Sequence, residues 1–139
     1  MSQENVEVVR GAIDAFTRGE LDTLRTAGDW YHADVEFHED PSFPDAGVHR
    51  GAAAIEAHFQ EFLDSFEEYR FEVEEILDAG DSVVVVNRQR ARGKGSGAEV
   101  DMRNAWVFAF RDGKIQRITP YWERAKALEA AGLSGGTDA

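Results

Sequence analysis

At 139 residues with no cysteine, the chain predicts one domain with room for a real core, and it excludes a disulfide framework, a thiolate metal site and a thiol nucleophile. Its 27 acidic against 15 basic residues leave a net charge of −12, which argues against nucleic acid, whose phosphates would be repelled. A hydrophobic share of 42% with 11% aromatics fits a globular protein. In chain order, Val6, Val9, Ile13 and Phe16 recur at helical steps, so a helix is expected over about 4–17, with Arg18-Gly19 at its end. Leu21 and Leu24 open a second short helix that runs toward Trp30 and Tyr31. Val35 and Phe37 alternate with Glu36 and His38 as a short strand over 34–39, which Asp40-Pro41 breaks. Residues 41–51, with two prolines and two glycines, read as a loop. Ile55, Phe59, Phe62 and Phe66 mark a third helix over about 52–65.

The second half of the chain is β-rich. Tyr69, Phe71 and Val73 alternate into a strand that ends at Ala79-Gly80-Asp81. Three long strands follow, over 83–92, 100–111 and 114–123, joined by a glycine-rich turn and by Asp112-Gly113. Asp-Gly suits a two-residue hairpin because both central residues must tolerate positive φ. Strands this long exceed the usual length of about five or six residues and must twist and curl, which leaves one concave face. A short helix over 124–131 closes the pattern, with Gly132 as its stop, and 134–139 reads as a frayed tail. No repeat or linker divides the chain, so 1–133 is expected to be a single domain.

Helices gathered ahead of a largely antiparallel sheet indicate an α+β fold with helices on one face. Here the chain resembles the SnoaL-like branch of the nuclear transport factor 2-like, or ketosteroid isomerase-like, superfamily. The carriers are Ala12-Ile13-Asp14-Ala15-Phe16 with Gly19-Glu20, Trp30-Tyr31-His32-Ala33-Asp34-Val35, and Arg50-Gly51 with Ile55. Gly93-Lys94-Gly95-Ser96-Gly97, Arg111-Asp112-Gly113-Lys114-Ile115 and Tyr121-Trp122-Glu123-Arg124 continue the likeness. The resemblance spans nearly the whole chain. It implies a cone-shaped fold, in which a strongly curved, antiparallel or mixed sheet packs against three helices from the N-terminal half. It says less about chemistry, because this fold hosts isomerases, cyclases, dehydratases, epoxide hydrolases and plain binding proteins.

Asp40 is the sharpest catalytic candidate. Glu39-Asp40-Pro41 resembles the ketosteroid isomerase segment whose Asp shuttles a proton beside a ketone, and partial desolvation would tune such a base. Turn chemistry alone gives Asp40 an equal claim to shaping the Asp-Pro turn. The Tyr121-Trp122 pair is a second match, which places Trp122 among the substrate contacts. The isomerases polarise the substrate oxygen with a Tyr and a protonated Asp; the corresponding positions here hold Ala12 and Trp106, so steroid isomerisation itself is not expected. His38, two residues before Asp40, should share its face on strict alternation and is the second catalytic candidate: the pair could divide base and acid roles, or the histidine could simply line the pocket or satisfy a backbone carbonyl. Met102, Asn104, Trp106, Phe108 and Phe110 form the more aromatic face of their strand, assigned here to the concave side. Asn104 and Trp106 would be rare donors in an apolar cup, with Met102, Phe59 and Trp30 as further lining, although a lone Trp such as Trp106 has an equal claim to be ordinary core. On the preceding strand either Asn87 and Gln89 or the arginines 88, 90 and 92 face inward, and outward arginines are preferred.

Two function classes follow. One is a cofactor-independent enzyme that moves a proton on a small hydrophobic carbonyl compound, as an isomerase, cyclase or dehydratase. The other is a non-catalytic binding or protein-interaction domain of the same fold. His32, His49 and His58 look scattered, with no His-Glu-x-x-His spacing, so neither metal nor cofactor is expected. A homodimer is expected through Val84, Val86, Val107 and Ala109, an apolar convex area that a monomer would expose. No run approaches the ~18 apolar residues of a membrane span. Met1-Ser2-Gln3-Glu4 lacks a basic and apolar leader, so no membrane partner and a cytoplasmic location are expected.

Overall fold

The computed structural model describes residues 2–133, and the tail expected over 134–139 lies outside the described residues. Helix α1 (Ser2–Thr17) and the single turn α2 (Thr23–Thr26) lead into strand β1 (Tyr31–His38) and the short β2 (Val48–Arg50). Helix α3 (Ala52–Asp64) follows, then β3 (Phe66–Asp78), β4 (Ser82–Gly93), β5 (Glu99–Arg111), β6 (Lys114–Tyr121) and α4 (Arg124–Ala130). The six strands form one curved, unclosed sheet in the order β2-β1-β6-β5-β4-β3. Only β1 and β6 run parallel; the other neighbours are antiparallel. This is the mixed α+β cone.

The curl has local causes. Register shifts interrupt β3–β4 at two places and β5–β6 at Ala109/Phe110, and each extra residue bends its strand and raises its twist. At the β5–β6 hairpin, Asp112 and Gly113 take φ of 54° and 76°, the pair of positive angles a type I′ turn needs. Helices α1 and α3 lie in the concavity, where Val9, Ile13, Ile55 and Phe59 meet Val83, Val85, Phe108, Ile115 and Ile118.

Three expectations change. Val48-His49-Arg50 forms a strand inside the presumed loop, because it pairs with the end of β1 from Glu36 to His38. The second helix is a single turn, and Tyr31 already belongs to β1. The C-terminal helix packs across the sheet from the other three: Ala127 and Leu128 seal Val84, Val86, Ala105 and Val107 into a second core. The valines on which the dimer expectation rests are therefore buried by their own chain. No described helix is long and apolar enough to cross a membrane.

Candidate active site

Toward its open end the cone stops being filled. Beyond Val83 and Val85, the inner face of β4 presents Asn87 and Gln89, both buried, opposite Asn104 and Met102 of β5. Arg88, Arg90 and Arg92 consequently point outward, where Arg88 grips Asp101 and Arg90 grips Glu72. Polar side chains cannot be buried without partners, and these amides supply one another. Tyr69 Oη donates to Gln89 Oε1, while Gln89 Nε2 donates to Asn87 Oδ1 at 2.9 Å and to Asn104 Oδ1 at 3.3 Å. Burial pushes the Tyr69 hydroxyl up, so it remains a neutral donor. With Asn104 Oδ1 engaged, its NH2 group is left for whatever occupies the cavity.

The cavity above this network holds about 250 Å³. Its walls are aromatic: Phe16 from α1, Phe37 from β1, Phe59 and Phe62 from α3, and Trp106 from β5. Trp106 Nε1 is buried and has no hydrogen-bond partner. A buried indole N–H normally finds an acceptor, and no described residue supplies one here. Phe43 and Trp122 form the rim, edge to face at 6.4 Å and about half exposed at 47% and 52%.

Of the residues named from sequence, Asp40, Met102, Asn104, Trp106, Trp122 and Phe59 meet at this cavity, and two do not. His38 lies on the outer side of β1, where Nε2 sits 2.7 Å from Glu36 Oε1 and beside Arg50 on the neighbouring strand. The strand ends at His38, so alternation does not carry through to Asp40 and the two side chains diverge. Trp30 packs on α1 instead. A Cβ built at Gly11 would sit 2.8 Å from its ring, so only glycine lets that helix come so close.

Asp40 is 6% exposed, and both of its oxygens are occupied. Oδ1 accepts the Ser42 N–H and Oδ2 the Trp122 N–H, each at 2.8 Å. The carboxylate thus closes the Asp-Pro turn and ties the end of β1 to the end of β6. That is a clamp, with one backbone N–H on each carboxylate oxygen, as the turn-forming reading of Asp40 expects.

Sequence reasoning missed Glu39, His49 and His58. Glu39 Oε2 lies 2.9 Å from His49 Nε2, and Oε1 accepts the Gly47 N–H at 3.1 Å. These contacts hold the Glu39 carboxyl below its ordinary range. His49 stacks on His58 with ring centroids 4.0 Å apart and planes 24° from parallel. Burial, then the neighbouring His49, push the His58 imidazole below its ordinary 6.5, against an opposing pull from Glu39 and Glu61. The three side chains bring donor atoms within 4.8 Å of one another. Two imidazoles stacked face to face do not aim their nitrogens at one ion, so a metal would require a ring to turn. The signal for His58 was available: it lies between Ile55 and Phe62 on the apolar stripe of α3.

A largely apolar cavity in the mouth of a mixed α+β cone is the geometry of this chain, and its structural neighbours share the nuclear transport factor 2-like fold. The chain belongs to the SnoaL-like domain family, whose model matches residues 9–118. No curated protein matches it. A nuclear transport factor 2-like protein from Burkholderia xenovorans is 28% identical with a TM-score of 0.73, over 94% of this chain and 97% of that one. A putative SnoaL-like polyketide cyclase from a Jannaschia species is similar at 19% identity and TM-score 0.75, over 96% and 93% of the two chains. A hypothetical protein with a ketosteroid isomerase-like fold from Catenulispora acidiphila, solved in complex with trimethylamine, matches at 19% and 0.70 over 91% and 93%. The last two likenesses concern the fold alone.

Proposed function

We propose that the protein binds a small, flat, hydrophobic carbonyl compound and moves a proton on it without a cofactor, as an isomerase, cyclase or dehydratase. The observation that carries this is Trp106, whose ring lines a largely apolar cavity and whose buried Nε1–H has no partner, with the free Asn104 amide on the same strand face. An oxygen that accepts from both would be polarised, and charge developing on it during proton removal would meet preorganised donors. The aromatic walls supply affinity, and the two donors orient the ligand. The family supports the class, since it includes polyketide cyclases and isomerases.

A second reading, a binding domain without chemistry, is favoured by the double backbone engagement of Asp40. One titration separates orientation from mere burial. Trp106→Phe keeps an aromatic wall and removes the donor, so affinity for a ketone such as 2-tetralone should fall about tenfold. Affinity for its hydrocarbon counterpart, tetralin, should hold. Equal loss for both ligands would mean that Trp106 contributes only surface.

A further inference from the structure

Among the described residues, three titratable side chains line the cavity: Glu39, Asp40 and His58. Asp40 spends both oxygens on backbone N–H groups, and Glu39 spends one on Gly47 and the other on His49. His58 makes no hydrogen bond to any described residue. Its ring is held by packing alone, between the Phe37 ring at 5.2 Å and the stacked His49. Phe37 also touches Trp106, at 6.0 Å between centroids, so one aromatic ring separates the free imidazole from the free indole N–H.

We propose that His58 is the general base of this cavity, positioned by the stacked His49–Glu39 pair. This deepens the proton-transfer reading above and rests on it. A ring nitrogen of neutral His58 takes the proton α to the bound carbonyl. The C–H electron pair becomes the C=C bond of an enolate, and the oxygen carries the negative charge toward Trp106 Nε1–H and the Asn104 amide. The imidazolium then returns the proton, to a different carbon in an isomerisation or to a departing hydroxyl in a dehydration. Atoms and charge balance with no further reactant.

The surroundings fit such a base. A useful base is unprotonated at working pH, and partial burial keeps His58 so. The charges bearing on it are His49 from β2, Glu39 from the turn after β1, and Glu61 one turn along α3, while Asp40 faces the same cavity. His49 pushes proton affinity down and Glu39 pulls it up, so the pair sets the operating point. His49 Nε2 with its proton donates to Glu39, which fixes that ring's orientation as the platform for the stack.

The test is α-deuteration of 2-tetralone in D2O, followed by NMR, with affinity measured in parallel by tryptophan fluorescence. His58→Gln should slow exchange by roughly 100-fold or more, with affinity within about twofold. The acid limb of the wild-type profile should fall below pH 6.5, move up in His49→Phe, and move down in Glu39→Gln. A merely structural role for the pair would not move that limb in opposite directions. Exchange in His58→Gln within about threefold of wild type would remove His58 as the base and leave proton transfer standing. Wild-type exchange at the solvent rate would overturn both proposals.

Discussion

The two halves of β4 make a controlled comparison within one strand. From Val83 to Val86 both faces are buried, the inner under α1 and the outer under α4. From Asn87 to Arg92 the inner face carries amides and the outer face arginines. The first half is sealed from water on both faces; the second lines the cavity on its inner face and carries ion pairs on its outer one. At the closed end, side chains fill the concavity; at the open end, the amides occupy their places without filling the space, and the cavity begins there. The lesson is that this pocket is a boundary between two packing regimes, set by where valine gives way to asparagine.

The largest expected effect breaks the closed end. Ile115 is fully buried in the inner core, and Ile115→Ala removes buried surface that the packed walls cannot refill. A loss of about 3 kcal/mol is expected, read as a lower urea midpoint at unchanged slope.

The next effect sharpens the boundary. Asp40→Asn keeps shape but replaces one acceptor oxygen by an NH2 group facing a backbone N–H, either at Ser42 or at Trp122. About 2 kcal/mol of stability should be lost. In protein that remains folded, 2-tetralone exchange should persist. A large loss of exchange at unchanged stability would restore Asp40 as the base.

Much of this frame was legible beforehand. The long strands, the Asp-Gly hairpin and the α1 and α3 stripes follow from local periodicity, and the likeness to the SnoaL-like branch spans most of the chain. What escaped was set by contacts between distant segments. Val48-His49-Arg50 is too short to signal a strand and exists only because β1 offers it an edge. His49 and His58 are nine positions apart on different elements, so their stack has no spacing to betray it. His38 was misplaced for a simpler reason: a period of two holds only while the strand lasts. The outward valines looked unpartnered because the short α4 gave no hint that it would cross to the other face.

Acidification should probe the open end with a smaller effect. The folded His58 holds its proton less tightly than the ordinary 6.5, so the unfolded chain is protonated first as pH falls. Stability is therefore full above about pH 6.5 and declines from there toward the lowered folded value. The carboxyl of Glu39 is held below its ordinary 4.5, so its contribution is full above that pH and is lost only in more acid solution. Urea midpoints should thus fall in two steps, and His58→Gln should erase the upper one alone.

The smallest effect belongs to the outer face of the same open half. Arg88 meets Asp101 through two hydrogen bonds, at 2.8 and 2.6 Å, a bidentate ion pair on that surface. Asp101 is about half exposed and Arg88 about a third, so water reaches the pair and screens the attraction, and ordering the long arginine side chain opposes it. Asp101→Asn should leave the urea midpoint within the scatter between repeats, and what little it changes should vanish in high salt. The inner neighbour of this pair is Gln89, one residue along the strand and 2% exposed. Gln89→Leu would strand the Tyr69 hydroxyl and remove the donor that engages Asn104 Oδ1, so its cost should be clearly measurable. Substitutions on the two faces of one strand pair, one visible to urea and one not, would confirm that the inner amide network and not the outer ion pairs holds the open end in shape. Equal costs at both positions would put the strength of the open end on its outer surface.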